Sequence, residues 1–192
     1  MSKKLIYINA CMHDDSRTLR IAAPIVKKLS EHYEIETVCL DKTDYRPVDR
    51  MVFQQRADGY VPEDIVALSK RIAAADRIVI AAPFWDMSFP SILKVFFENM
   101  SLYRITFESA DNGFRGLCRC EKVMYITTRG MDIDTGSPLE QATPYINALG
   151  RLWGLGELSV ISAQNMDFST PEEVEKKIGD AVKKGLEVAK NW

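Results

Sequence analysis

Three clusters in this 192-residue chain combine residue types and spacing that suit chemistry. The first is Pro83-Phe84-Trp85-Asp86-Met87, set between the apolar run Arg77–Ala82 and an apolar helical stretch. Aromatic side chains and spare backbone N–H groups at such a junction suit a flat heterocycle better than a sugar or a metal ion. An ordinary strand-to-helix loop with exposed aromatics is the plainer reading. The second cluster is Ser16-Arg17-Thr18, where a helical stripe begins. Free N–H groups and the positive dipole end favour an anion there, with two hydroxyls and one guanidinium in support. Ser16 acting only as a helix N-cap is the alternative, and Asp14 and Asp15 oppose an anion unless they point away. The third is cysteine: Cys11, Cys39, Cys118 and Cys120. Cys118-Arg119-Cys120 has one intervening residue where the usual zinc and redox spacing has two, so no metal site is expected. His13 and His32 are isolated and read as solvated side chains.

The elements that must position these groups alternate. Lys4–Asn9 reads as a strand, Arg17–Tyr33 as a helix with a Leu19, Ile21, Ala22, Ile25, Val26, Leu29 stripe, and Glu34–Leu40 as a short strand. Pro62–Ala75 opens as a helix should, with Pro and two acids in its first turn. Arg77–Ala82 (RIVIAA) is continuously apolar after its first residue, the signature of a strand covered on both faces. The helix after it starts near Ser88 or Pro90, and Ile92, Leu93, Phe96, Phe97 and Met100 form its core stripe. Glu121–Thr128 and Glu157–Ala163 read as strands, Pro138–Trp153 and Pro171–Lys190 as helices. Two long stretches remain: Asp41–Tyr60, a candidate lid or dimer arm unless Tyr45, Met51, Phe53 and Tyr60 pack on their own subunit, and Tyr103–Cys120, an irregular connection with a turn signal at Asn112-Gly113. Trp153 and Trp192 read as packing residues.

Five strands separated by helices predict one domain over residues 1–192: an α/β, doubly wound, five-stranded parallel sheet with helices on both faces. The choice between the two common strand orders turns on the first loop. Ala10–Thr18 contains no glycine, whereas a dinucleotide loop needs Gly-x-Gly-x-x-Gly to approach a pyrophosphate. A single terminal phosphate, such as that of FMN, suits this loop better. A net charge of -2 gives no pull toward nucleic acid or anionic membrane. No apolar run approaches the ~20 residues that cross a bilayer, and the first residues read as a strand rather than a secretory leader, so a cytoplasmic location is expected.

Taken together, the segments resemble the FMN-dependent azoreductases and NAD(P)H:quinone oxidoreductases of flavodoxin-like fold. Pro83–Met100 is similar to that family's flavin loop and following helix, Arg104-Ile105-Thr106-Phe107 to its Thr-Phe, and Asn112-Gly113…Gly116-Leu117 to the turn that follows. Ile126-Thr127-Thr128-Arg129-Gly130 resembles its second flavin loop, while Thr143-Pro144-Tyr145 and Gly154-Leu155-Gly156 fit the next helix and its exit. The resemblance implies a homodimer with FMN at the subunit interface. It implies Cys11, Ser16, Arg17 and Thr18 around the phosphate, Pro83, Phe84, Trp85, Asp86 and Met87 along the ring, and Thr128, Arg129 and Gly130 at its pyrimidine end. Trp85, Phe107 and Phe53 are the expected substrate contacts. The implied chemistry is ping-pong two-electron reduction of quinones or azo compounds by NADH or NADPH, carried by the flavin with no catalytic side chain. Three departures bear on flavin binding: Asp86 where Asn is usual, Gly130-Met131 where two glycines are common, and Cys11 where Ser is common. The alternatives are a flavodoxin-like electron carrier, against which the near-neutral charge argues, and a related flavin or metal-complex reductase.

Overall fold

The computed structural model describes residues 2–111 and 113–192; Asn112 of the expected turn lies outside the described residues. β1 (Lys3–Asn9), β2 (Tyr33–Cys39), β3 (Arg77–Ala81), β6 (Lys122–Thr128) and β7 (Glu157–Ala163) form one parallel sheet in the order β2-β1-β3-β6-β7. This is the flavodoxin-like order, as the glycine-free first loop predicts. The helices are α1 (Arg17–Leu29), α2 (Arg50–Ala57), α3 (Glu63–Ala74), α4 (Ser91–Met100), α5 (Ala142–Trp153) and α6 (Pro171–Lys190).

Strand side chains alternate between two buried layers. Ile6, Ile8, Ile78, Ile80, Val123 and Tyr125 join Ile72, Phe96, Phe97, Ile146 and Trp153 beneath α3, α4 and α5. Leu5, Tyr7, Val79, Ala81, Met124 and Ile126 join Ile21, Ile25, Ile178 and Trp192 beneath α1 and α6. Helices on both faces explain why the central strands are apolar at every position rather than at alternate ones. Trp153 and Trp192 are packing residues, Trp153 donating from Nε1 to Ser101 Oγ at 3.0 Å.

Four segments differ from the sequence reading. Asp41–Tyr60 contains α2, capped by Asp49, whose carboxylate accepts the Val52 N–H at 2.9 Å. No residue of α2 is buried, so it carries no apolar stripe to announce it. Within that segment Tyr45 packs on Phe96 of its own chain, at 5.9 Å between ring centroids, whereas Met51, Phe53 and Tyr60 are exposed. The connection after α4 contains an antiparallel hairpin, β4 (Phe107–Ala110) with β5 (Gly113–Gly116), whose four-residue strands are too short for periodicity to register. The first helix ends at Leu29, not Tyr33, because Tyr33 already pairs with Lys3 in the sheet. The last difference is at α5, which starts at Ala142 rather than Pro138: residues 132–141 wrap a buried guanidinium instead, and Glu140 accepts the Thr143 N–H at 2.8 Å. No helix among the described residues is long and apolar enough to cross a membrane.

Candidate functional site

The carboxyl ends of β1, β3 and β6 lie side by side, and the chain keeps its ladder for a residue or two beyond them. Ala10 N–H donates to Ala81 O (2.8 Å), Ala82 N–H to Ile126 O (3.1 Å) and Phe84 N–H to Thr128 O (3.1 Å). Above this shared edge opens a cleft of about 390 Å³, within the ~300–1,000 Å³ span of small-molecule sites. Open α/β sheets take their ligands at this edge, where the strand order reverses.

One end of the cleft is the start of α1. The first N–H groups of a helix have no intrahelical partner. Here Ser16 N–H donates to His13 O at 3.2 Å, and Leu19 N–H donates to Ser16 Oγ at 3.3 Å. Those of Arg17 and Thr18 have no acceptor among the described residues, which leaves two donors at the positive end of the helix dipole for an anion. The two readings of Ser16 thus coexist: its hydroxyl caps the helix, and it lines the cleft with Arg17.

The aromatic wall is Pro83-Phe84-Trp85. Beyond it the chain reverses in a two-residue turn closed by Trp85 N–H to Ser88 O (3.0 Å) and Ser88 N–H to Trp85 O (2.8 Å). Asp86 (φ 47°) and Met87 (φ 64°) are both left-handed, the conformation of a type I′ hairpin turn. Asp tolerates that region; Met does so at a cost of about 1–2 kcal/mol. Gln141 N–H holds the strained turn by donating to Met87 O at 2.8 Å. Ser88 therefore belongs to the turn, and α4 begins at Ser91 behind Pro90.

The opposite rim is two loops fastened together. After β6, Arg129 N–H donates to Ala163 O (2.9 Å); after β7, Met166 N–H donates to Arg129 O (3.1 Å) and Asp167 N–H to Gly130 O (3.0 Å). Thr128, Gly130 and Asp167 line the cleft here. The Asp167 carboxylate lies over Gly130, since a Cβ added at Gly130 would stand 2.0 Å from Asp167 Oδ2.

Seven expected residues thus meet at one cleft: Ser16, Arg17, Pro83, Phe84, Trp85, Thr128 and Gly130. The others are placed elsewhere. Cys11 is buried in the layer under α1, its thiol directed to Ala81 O (3.9 Å) and pushed to higher pKa chiefly by burial, so Sγ is no phosphate ligand. Thr18 is fully buried and its hydroxyl shares a 2.7 Å hydrogen bond with that of Thr128, tying α1 to β6, so only its N–H faces an anion. Asp86 and Met87 sit on the exposed turn rather than on the cleft wall.

Arg129 points away from the cleft and is fully buried: its Nη1 donates to Ile133 O (2.7 Å), its Nη2 to Thr135 Oγ1 (2.9 Å), and its guanidinium stands 5.5 Å from the Phe84 ring centre. Burial draws this guanidinium below the usual arginine range, against the opposing pull of buried Glu140. Phe53 is exposed on α2, and Phe107 packs between Tyr103 and Phe114 in the hairpin; neither lines the cleft within this chain.

Residues not expected to hold the ligand also line it: Met12, His13, Asp15 and Asp167, so Asp15, expected to oppose an anion unless it points away, stands in the cleft. Asp167 Oδ1 accepts from Arg17 Nη1 at 2.7 Å across the cleft, between positions 150 residues apart, and nothing local signals that contact.

A parallel sheet of this order, with an anion-ready helix start and an aromatic wall over one edge, defines a flavodoxin-like protein. The family model described as flavodoxin-like fold matches residues 3–188, and the chain belongs to that family. More particularly, it is similar to FMN-dependent NADH:quinone oxidoreductases. That of Coprothermobacter proteolyticus is 29% identical across 98% of this chain and 99% of its own length, and one from Clostridium perfringens is 30% identical with the same coverage. The structure is similar to that of an FMN-dependent NADH-azoreductase from Bacillus anthracis in complex with FMN (TM-score 0.83, 21% identity, 98% of each chain). It also resembles an NAD(P)H:quinone oxidoreductase from Methanothermobacter marburgensis (TM-score 0.78, 18% identity, 98% of each chain). These two structures attest the fold.

Proposed function

We propose that this chain is an FMN-dependent NADH:quinone oxidoreductase that also accepts azo compounds. The observation that carries the reading is the single cleft at the carboxyl edge of the sheet, where an anion-binding helix start and an aromatic wall face one another. Relatives so named match the chain from end to end.

The residues fit FMN. The Arg17 and Thr18 N–H groups with the Arg17 guanidinium would receive the phosphate, Phe84 and Trp85 would flank the ring, and Thr128 and Gly130 line the opposite rim, where the Asp167 carboxylate lies over Gly130. FMN, when bound, supplies two-electron redox chemistry that no side chain here provides. The protein binds, orients and partly desolvates. The Thr18–Thr128 bond and the paired loops fix the cleft walls relative to one another, so ordering cost is met on folding rather than on binding. Gly130 N–H, without an acceptor among the described residues, is a fixed dipole at the cleft for charge that grows on reduction. Donor nucleotide and acceptor share the open side of the cleft in turn, the ping-pong order. No general acid or base is assigned.

We further propose one flavin-binding domain over residues 1–192, a homodimer and a cytoplasmic location. Exposed Trp85, Met87 and Met131 beside the cleft support the dimer, because a partner subunit there shields apolar surface and narrows the cleft mouth. The free thiols Cys11, Cys39, Cys118 and Cys120 support a reducing compartment.

The test is the visible spectrum of the purified protein with FMN, titrated anaerobically with NADH, followed by steady-state turnover with a soluble quinone. Two flavin bands that bleach without a long-wavelength semiquinone, and then recover on quinone addition, support the reading. Retention of flavin with a stable semiquinone and no NADH oxidation would refute it in favour of an electron carrier.

A further inference from the structure

The cleft holds a carboxylate where a ligand's anion should go. Asp167 and Arg17 both line it and are joined at 2.7 Å, each with a substantially exposed side chain. The placement of Asp167 is built rather than incidental. Its N–H is fastened to Gly130 O, and its carboxylate occupies space that only a glycine at position 130 leaves open.

The loop that carries it is clamped from behind by Lys177, whose Nζ donates to Gln164 O (3.1 Å), Asn165 O (3.2 Å) and Ser169 Oγ (2.7 Å). Ser169 Oγ in turn donates to Asn165 O at 2.6 Å, and Asn165 takes a left-handed backbone (φ 57°). Three acceptors on one ammonium leave the loop little freedom, so Asp167 is held facing Arg17.

We propose that Asp167 is a specificity-determining residue that sets how strongly the cleft prefers a phosphorylated ligand over its unphosphorylated counterpart. The inference rests on the FMN reading of the same cleft. Arg17 is the only arginine or lysine on the cleft wall among the described residues, with His13 the other basic side chain there, and Asp167 already pairs with Arg17. A phosphate dianion at the α1 N-terminus must take Arg17 from Asp167 and then tolerate that carboxylate, together with Asp15, within the same cleft. A ligand without phosphate meets neither demand. Asp167 thus weakens FMN binding selectively.

The test compares FMN and riboflavin affinities, by quenching of flavin fluorescence, for the wild-type protein and D167N. Asn keeps the shape and the Gly130 contact while removing the charge. Expected is an FMN affinity raised about three- to tenfold, as suits one exposed like charge near a dianion, with riboflavin changed less than about twofold and the difference shrinking in high salt. An unchanged FMN-to-riboflavin ratio overturns the proposal. So does a ratio that falls, which would make Asp167 an orienting partner of Arg17, or equal weakening of both ligands, which would make the loop merely structural. D167E, which restores the charge, is expected to return the ratio toward wild type. A second readout separates this inference from the flavin reading: the rise in Tm produced by inorganic phosphate should be larger in D167N than in wild type. If the wild-type protein binds neither flavin, the FMN reading fails while the phosphate comparison still decides the role of Asp167.

Discussion

Arg129→Met should be the most damaging single substitution near the cleft, although the Arg129 side chain itself lines no part of the cleft and only backs the Phe84 ring. The guanidinium is fully buried and makes charge-assisted bonds to Ile133 O and Thr135 Oγ1, with Glu140, also fully buried, 4.0 Å away. Methionine fills part of the space and supplies none of the donors. Glu140 then keeps only the N–H groups of Thr143 (2.8 Å) and Gly136 (3.4 Å) for a buried carboxylate. Removing one member of a buried pair in this way costs about 3–5 kcal/mol. That is a large share of the ~5–15 kcal/mol by which folded proteins are stable. At ~2–4 °C per kcal/mol for a chain of this size, Tm should fall by about 6–20 °C. Urea and thermal unfolding followed by circular dichroism measure this directly. The double variant R129M/E140L, which removes the stranded carboxylate, should recover at least about half of the loss, and a double-mutant cycle gives the coupling. A loss below ~1 kcal/mol in R129M, or no coupling to Glu140, would refute the reasoning and return Arg129 to the role of a free cleft cation.

Three other outcomes follow from the same geometry. Thr18→Val should destabilise by about 1–3 kcal/mol, because it strands the buried Thr128 hydroxyl, and T18V/T128V should be less destabilised than T18V in urea titrations. Asp86→Asn, which preserves a left-handed turn residue while removing a negative charge beside the cleft, should raise the midpoint potential of bound FMN; an unchanged potential in a redox titration excludes that effect. Iodoacetamide at pH 8 should alkylate Cys39 alone in the folded protein, as read by mass spectrometry, since burial pushes the buried Cys118 thiol up to about 12 and Cys120 up to about 11. Both values lie above the ordinary 9.0, so the stability linked to these thiols is full below pH ~9 and is lost as pH rises toward the folded values.

The sequence by itself determined the sheet, its helices and the loops that end its strands. Apolar residues at every position of Ile78–Ala82 suit a strand covered on both faces, and the stripe of α1 is strong enough to override Pro24 inside it. Pro83 and the glycine-free first loop then put an aromatic loop and a helix start at one sheet edge, and the cleft follows. Local pattern could not announce α2, with no buried residue, or a hairpin of four-residue strands. Tertiary structure alone decided which way each site side chain points. Thr18 and Cys11 lie in the same loop-to-helix segment as Ser16 and Arg17, yet burial turns the first pair into the core and the second into the cleft. Arg129 reads as a cleft cation beside Gly130 until the loop 131–141 folds over it and accepts from its Nη1 and Nη2, with Nε left buried and unpartnered among the described residues. Asp167 reaches Arg17 because the loop after β7 is fastened to the one after β6, while α1 is tied to the end of β6 through Thr18–Thr128 and packs beside α6. Spacing along the chain carries the periodicities of helix and strand; it carries no information about partners that only sheet order makes adjacent.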